Sequence, residues 1–207
     1  MSQYKTEQEA FWAGEFGNEY IERNQGAELV AANLALFAKV LARTRNVSSV
    51  LEFGANRGLN LMALHHLLPG ASLSAIEINE KAVGELEKLG CLETIYHKSI
   101  LDFVPDQPRD FSFIKGVMIH LDPEVLPQVY DLLYRSSRRY ILVMEYYNPT
   151  PVEISYRGHS DKLYKRDFAG EMLDRFPDLQ LMDYGFCYER DYRFPNGDCT
   201  WFLMEKR

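Results

Sequence analysis

Two carboxylates and two glycines carry the sharpest chemical signal in the chain. In VLEFGANRGLN, residues 50–60, an apolar run ends at Glu52, turns through Gly54 and Gly58, and opens an apolar helical pattern. A second apolar run, in LSAIEIN, ends in Glu77 about twenty residues beyond the glycine turn. Gly54 allows a tight turn, and Gly58 is expected to let the backbone approach a ligand. A carboxylate at the tip of the second strand can accept both hydroxyls of a ribose. With Ala55 and Asn56 in the turn and Ile78 beside the second carboxylate, these residues specify a pocket for an adenosine-type cofactor.

Three further groups could take part. The apolar run Phe111 to Met118 leads into KGVMIHLDPE, so Lys115, Gly116, Val117 and His120 fall near its tip as candidates for the pocket floor. His120 has the near-neutral intrinsic pKa that suits a general base; equally, it packs between strand and helix and orients a loop. The N-terminal FWAGEFGNEYIERN sets Trp12, Phe16 and Tyr20 at mixed helical spacing and interrupts them with Gly14 and Gly17. Two glycines predict bends that fold residues 1–27 over something as a lid, the alternative being an ordinary packing helix. The segment 145–167, EYYNPTPVEISYRGHSDKLYKRD, is too long for a simple connection. It collects Arg157, His159, Lys162, Lys165 and Arg166 beside Tyr146, Tyr147, Tyr156 and Tyr164. Residues 146–163 are therefore expected to form a substrate loop for a small anionic molecule, unless they are only a solvated charged loop. Tyr146 or His159 is the second choice for a catalytic base.

These side chains need a scaffold, and the apolar periodicity predicts one. A helix over 28–45 carries Leu29, Val30, Asn33, Leu34, Phe37, Val40 and Leu41 on one face. Strands follow at 49–53 and 72–77, separated by a helix over 58–68 that Pro69-Gly70 stops. Asn79 caps a helix reaching Gly90, a third strand lies at 93–97, and the fourth is the run from Phe111. Asp122-Pro123 starts a helix through Ser136, and YILVME reads as a central parallel strand. A helix over 164–176 precedes two runs, 179–188 and 199–205, joined through Pro195-Asn196-Gly197-Asp198 as an antiparallel hairpin at the sheet edge. The expectation is an α/β fold: a doubly wound seven-stranded sheet, parallel except for the C-terminal hairpin.

The bulk numbers bound the function. A chain of 207 residues reads as a single domain, 1–207, that buries about 70 per cent of its unfolded surface. A net charge of −7 argues against nucleic acid or an anionic membrane as partner. Cys91, Cys187 and Cys199 are scattered, without metal-ligand or CxxC spacing, and read as thiols of a reducing compartment. The N-terminus lacks a signal-peptide layout and no run is long enough to span a membrane, so a cytoplasmic location is expected. The sequence leaves the oligomeric state open.

Five βα alternations closed by an antiparallel pair resemble the class I S-adenosylmethionine-dependent methyltransferases, whereas nicotinamide-binding domains usually continue with a sixth parallel strand. The pattern Glu52-x-Gly54-x-x-x-Gly58 is similar to the methyltransferase motif. The dinucleotide fingerprint would need glycines where this chain has Asn56 and Leu59. From Phe11 onward, FWAGEFGNEYIERN, EFGANRGLN, SFIKGVMIHLDPE, EYYNPTPVEISYRGH and KLYKRDFAGEMLDRFPDL resemble the methyltransferases associated with pseudaminic acid biosynthesis. The resemblance implies S-adenosylmethionine as cofactor and S-adenosylhomocysteine as product. Glu52 would orient the amino-acid end; if residues 1–27 form the lid, Trp12, Phe16 and Tyr20 exclude water and Arg23 contacts the methionine carboxylate. Ser99 stands where such enzymes often present an acidic residue to adenine, with Ile100 packing on the base. The resemblance also favours the lid over the packing helix, and it requires no metal. It implies methyl transfer to oxygen or nitrogen of a small acceptor, and the basic, aromatic loop over 145–167 makes that acceptor an anionic one such as a sugar acid, a nucleotide sugar or an amino-acid-like metabolite. Rival readings are a non-catalytic partner protein of the same fold and, less favoured, a nicotinamide-dependent oxidoreductase.

Overall fold

The computed structural model describes residues 4–158 and 162–207. Strands β1 (Ser49–Phe53), β2 (Ser72–Glu77), β3 (Thr94–His97), β4 (Arg109–Lys115) and β5 (Ser137–Glu145) are mutually parallel and ordered 3-2-1-4-5. Two short strands at 152–153 and 164–165, β6 and β7, form a separate antiparallel ribbon. Strands β8 (Leu179–Phe186) and β9 (Thr200–Lys206) complete the main sheet, with β9 antiparallel to β5 and β8 on the edge. The seven-stranded sheet with its C-terminal antiparallel pair is the expected one. Its chain order reverses between β1 and β4, and this opens a crevice beyond their carboxyl ends.

Helices α3 (Ala27–Leu41), α4 (Leu59–Leu67) and α5 (Glu80–Lys88) cover one face, while α6 (Leu126–Ser136) and α7 (Phe168–Arg175) cover the other. Side chains alternate across the sheet accordingly. In β5, Tyr140, Leu142 and Met144 pack under α3 and α4, while Ile141 and Val143 pack under α6 and α7. A strand covered on both faces must be apolar throughout, which is why this run reads without alternation.

Several boundaries differ from the periodicity, each for a local reason. Strand β4 begins at Arg109 because polar partners satisfy its first residues: Asp106 and the Tyr96 hydroxyl hold Arg109, and Ser48 holds Asp110. It ends at Lys115, and 118–120 form a short 3-10 turn. The helix expected over 164–176 starts only at Phe168, where the Asp167 carboxylate accepts the Gly170 N–H at 2.8 Å, because 164–165 are in the ribbon. At the N-terminus, α1 (Glu7–Ala13) and α2 (Glu15–Arg23) meet at the bend of Gly14. Gly17 does not bend the chain as expected. It lies inside α2, where a Cβ would strike the Trp12 carbonyl and approach Asn79 at 2.9 Å. The last hairpin is joined by residues 187–199, well beyond a four-residue turn. Among the described residues, no helix is long and apolar enough to cross a membrane.

Candidate active site

Glu77 ends β2 inside a cavity of about 320 Å³ at the switch point, a volume within the range of small-ligand sites. The Asn56 and Asn79 backbone N–H groups donate to its two carboxylate oxygens at 2.6 and 2.8 Å. Burial pushes this carboxyl up while the amides draw it back. A carboxylate has about four lone-pair sites, so two remain for a ligand's hydroxyls. The turn that supplies the Asn56 amide is left-handed at Gly54 (φ 75°) and Asn56 (φ 49°), conformations suited to glycine and asparagine. A Cβ on Gly54 would meet Val117 at 2.6 Å, so this glycine keeps the turn against the tip of β4.

Two expectations about the turn are corrected. Gly58 does not line the cavity; a Cβ there would lie 2.5 and 2.8 Å from Leu89 and Leu86, so this glycine serves the packing of the helix start on α5. The turn's N–H groups do not face a ligand either. Those of Gly54 and Ala55 donate to the Ile76 carbonyl, that of Asn56 to Glu77, that of Arg57 to the Asn56 side chain and that of Gly58 to the Ala55 carbonyl. A loop with every amide from 54 to 58 engaged has no nest for a phosphate.

Glu52 lies one layer deeper, outside the lining, where the Asn60 amide donates to it at 2.6 Å. Burial pushes its carboxyl up to about 8. Asn60, from the first turn of α4, is the wall residue in front of it, and the sequence reading did not single it out. Glu145 at the end of β5 was missed as well. One of its oxygens accepts the N–H groups of Val117 at 3.0 Å and Met118 at 2.9 Å, which fixes the floor at Lys115, Gly116 and Val117. Burial pushes Glu145 up to about 7.

The helices α1 and α2 run along the cavity and contribute Trp12 and Tyr20, whose ring centroids lie 5.3 Å apart. Polar contacts tie them down. The Asn79 amide donates to the Trp12 carbonyl at 3.1 Å and to Asn18 at 3.0 Å, and Arg57 donates to the Ile21 carbonyl at 3.3 Å. Ser99, expected against adenine, donates its hydroxyl to the buried Glu9 carboxylate of α1 and accepts the Leu101 N–H. Glu9 itself lines the cavity, as do Ile78 and Ile100. Phe16 and Arg23 do not. Phe16 stacks on Phe11 at 4.1 Å, and Arg23 lies over the Phe16 and Tyr20 rings beside Glu19, so it is turned from the methionine-carboxylate role expected of it.

His120 lines the cavity between the Trp12 and Tyr156 rings. Its Nδ1 lies 2.6 Å from the Lys162 carbonyl, so the N–H is on Nδ1 and Nε2 is left with a lone pair. Burial pushes this imidazole down to about 4 and keeps it neutral. Tyr146 and Tyr20 also line the cavity, and burial pushes both phenols up to about 12, which opposes a phenolate base.

Among its described residues, the loop over 145–167 therefore contributes the Tyr146 and Tyr156 rings and Leu163 to the cavity, and none of its charged side chains. Tyr146 and Tyr156 line it; Tyr147 is exposed beside Phe202, and Tyr164 lies in the ribbon. Lys162 faces Glu7 at 3.6 Å, Arg166 pairs with Glu171 at 2.6 Å, and Lys165 lies over the Tyr146 ring. Lys162 and Arg166 have acidic partners within the fold because α1 and α7 bring Glu7 and Glu171 to them. Arg157 is exposed over the Tyr156 ring. His159 lies outside the described residues. Asn33, Asn196, Gly197 and Cys199 complete the far wall, with Asn196 donating to Asn33 at 3.3 Å. In the sequence the run 195–198 reads only as a turn; no local signal marks it as a wall.

No family model matches the chain, and no curated protein does. Solved structures do match. The plantazolicin methyltransferase BpumL, in complex with S-adenosylhomocysteine, aligns at 14% identity and TM-score 0.67 over 97% of this chain and 94% of its own. The magnesium protoporphyrin IX methyltransferase ChlM from Synechocystis, with bound S-adenosylmethionine, aligns at 13% and 0.67 over the whole of both chains. The 1,6-didemethyltoxoflavin-N1-methyltransferase of Burkholderia thailandensis aligns at 12% and 0.69 over 96% and 86%. The crevice, the glycine turn and the terminal antiparallel pair thus sit in the fold of the class I S-adenosylmethionine-dependent methyltransferases.

Proposed function

We propose that this chain is an enzyme that transfers a methyl group from S-adenosylmethionine to oxygen or nitrogen of a small acceptor. The observation that carries the reading is Glu77: a buried carboxylate clamped by two amides, with acceptor sites left over, behind a turn whose amides are all engaged. That arrangement suits the ribose of a nucleoside without a pyrophosphate, which also disfavours a nicotinamide dinucleotide. Fold neighbours that carry S-adenosylmethionine or its product support the same cofactor.

When bound, the cofactor supplies a methyl group already activated on a sulfonium. The protein's part is to bind, align and keep water out. Glu77 takes the ribose hydroxyls, and Ile78 and Ile100 flank the base. Trp12 and Tyr20 close the cavity from above. Gly116, whose N–H donates to the Met144 carbonyl, and Val117, held by Glu145, fix the height of the floor. The acceptor lies toward Tyr146, Tyr156, Asn33 and Asn196, whose rings and amides suit a hydrogen-bonding molecule. His120 offers Nε2 for the acceptor's proton; being neutral, it is available across the physiological range. Similarity to the pseudaminic acid-associated methyltransferases, with Arg157 over a cavity-lining ring, supports an acceptor bearing an acidic group. Three unpaired cysteines fit a reducing, cytoplasmic setting.

Calorimetry with S-adenosylhomocysteine tests the cofactor half: saturable one-to-one binding is expected, and no heat from folded protein overturns the enzyme reading in favour of a non-catalytic relative. Labelled S-adenosylmethionine offered with sugar acids, nucleotide sugars and amino acids then identifies the acceptor.

A further inference from the structure

Lys115 is the half-buried cation of the cavity floor, and among the described residues its ammonium forms no hydrogen bond or ion pair. An ammonium drawn out of water without a partner is costly, so such a group points to a counter-ion that arrives with a ligand. The nearest acids do not fill that place. Glu52 is turned to Asn60 and Glu145 to the amides of 117 and 118; both feel the lysine's field, yet neither is within ion-pair distance of it. Burial moreover holds both carboxyls toward their neutral forms.

The other nearby cations are spoken for. Arg57 is divided among Glu85, Gln25 and the Ile21 carbonyl, Arg23 lies on Glu19, and Lys162 faces Glu7. Lys98 also lines the cavity, but it is exposed and follows β3, on the Glu77 side. Lys115 ends β4, beyond the Gly54 turn as seen from Glu77, and Val117 two residues later touches that turn. A ligand that sets its ribose on Glu77 and passes the turn would bring its other end to Lys115.

We infer that Lys115 binds the carboxylate of the α-amino-acid end of the cofactor, the role expected from the sequence for Arg23. The inference rests on the methyltransferase reading above and assigns a residue within it. It is tested by calorimetry on the intact chain with two probes: S-adenosylhomocysteine, and 5′-methylthioadenosine, which has the same adenine, ribose and thioether but no amino-acid end. Lys115→Met should weaken S-adenosylhomocysteine by about tenfold or more, as expected for loss of a charge-assisted contact, and leave methylthioadenosine within about twofold. Lys115→Arg should recover most of the loss. Unchanged S-adenosylhomocysteine binding in Lys115→Met overturns the inference, and so does an equal loss for both probes in a variant that melts like the parent. If Lys115→Met unfolds, Lys115→Arg and Lys115→Gln carry the same comparison. Failure of the parent protein to bind either probe would instead sink the cofactor reading itself.

Discussion

Burial holds Glu52 at about 8 and Glu145 at about 7, both above the ordinary carboxylate value of 4.5. The sign of the linkage follows. Below 4.5 both folded and unfolded chains hold the protons, so that contribution to stability is complete. As pH rises toward the folded values the unfolded chain sheds protons that the folded chain keeps, and stability is lost. Glu52→Gln can keep the Asn60 bond through its carbonyl and removes the titration. Its melting temperature relative to the parent should therefore grow more favourable from about pH 5 to about pH 8. A difference that is the same at both pH values would contradict the buried, raised carboxyl. His120 acts in the opposite direction: its depressed pKa, about 4 against 6.5, means its contribution is present above 6.5 and is lost as pH falls through 4. If His120 takes the acceptor's proton, kcat should show no limb near pH 6.5 from this residue.

At the scale of elements, the start of α4 and the paired helices α1 and α2 define the cavity. Gly58 has φ 80° and no space for a Cβ against Leu86 and Leu89. Gly58→Ala should cost about 1–3 kcal/mol in denaturant titration, through strain and overpacking. Since Gly58 does not touch the cavity, affinity for S-adenosylhomocysteine should fall far less than for a change at Glu77. The helices α1 and α2 are attached through a few polar contacts: Glu9 to Ser99, Asn79 to Trp12 and Asn18, and Arg57 to Ile21. Glu9→Ala removes the first of these and half of the capping box that starts α1. Hydrogen exchange across 7–23 should then quicken while β1 and β4 stay protected. Protection unchanged over 7–23 would remove the idea that Glu9 fastens this segment.

For the whole molecule, the distribution of charge matters more than its total. The chain carries −7, and in the 145–167 segment Lys162 and Arg166 are paired with acids from other elements. Arg157 is exposed over the Tyr156 ring, which lines the cavity. Arg157→Ala should raise the acceptor's KM several-fold and leave S-adenosylhomocysteine affinity unchanged, as loss of a rim charge acts on capture more than on the buried contacts. Equal effects on both ligands would contradict a division of the cavity between them.

The residues of this chain determined by themselves the order of strands and helices, the glycine turn and the carboxylate at the end of β2. Each depends on near-neighbour periodicity, on left-handed φ at Gly54, or on one fixed spacing. They could not reveal which side chains Gly58 avoids, that the turn's amides would all be spent internally, or that Glu9 would meet Ser99 across ninety residues of chain. Nor could they say that Glu7 and Glu171 would draw off Lys162 and Arg166, or that Asn33 and Asn196 would share a wall. Those facts are settled by which elements pack together. Charge and hydrogen-bonding capacity are read from composition, but whether a group is free for a ligand depends on partners that only the tertiary fold brings within reach.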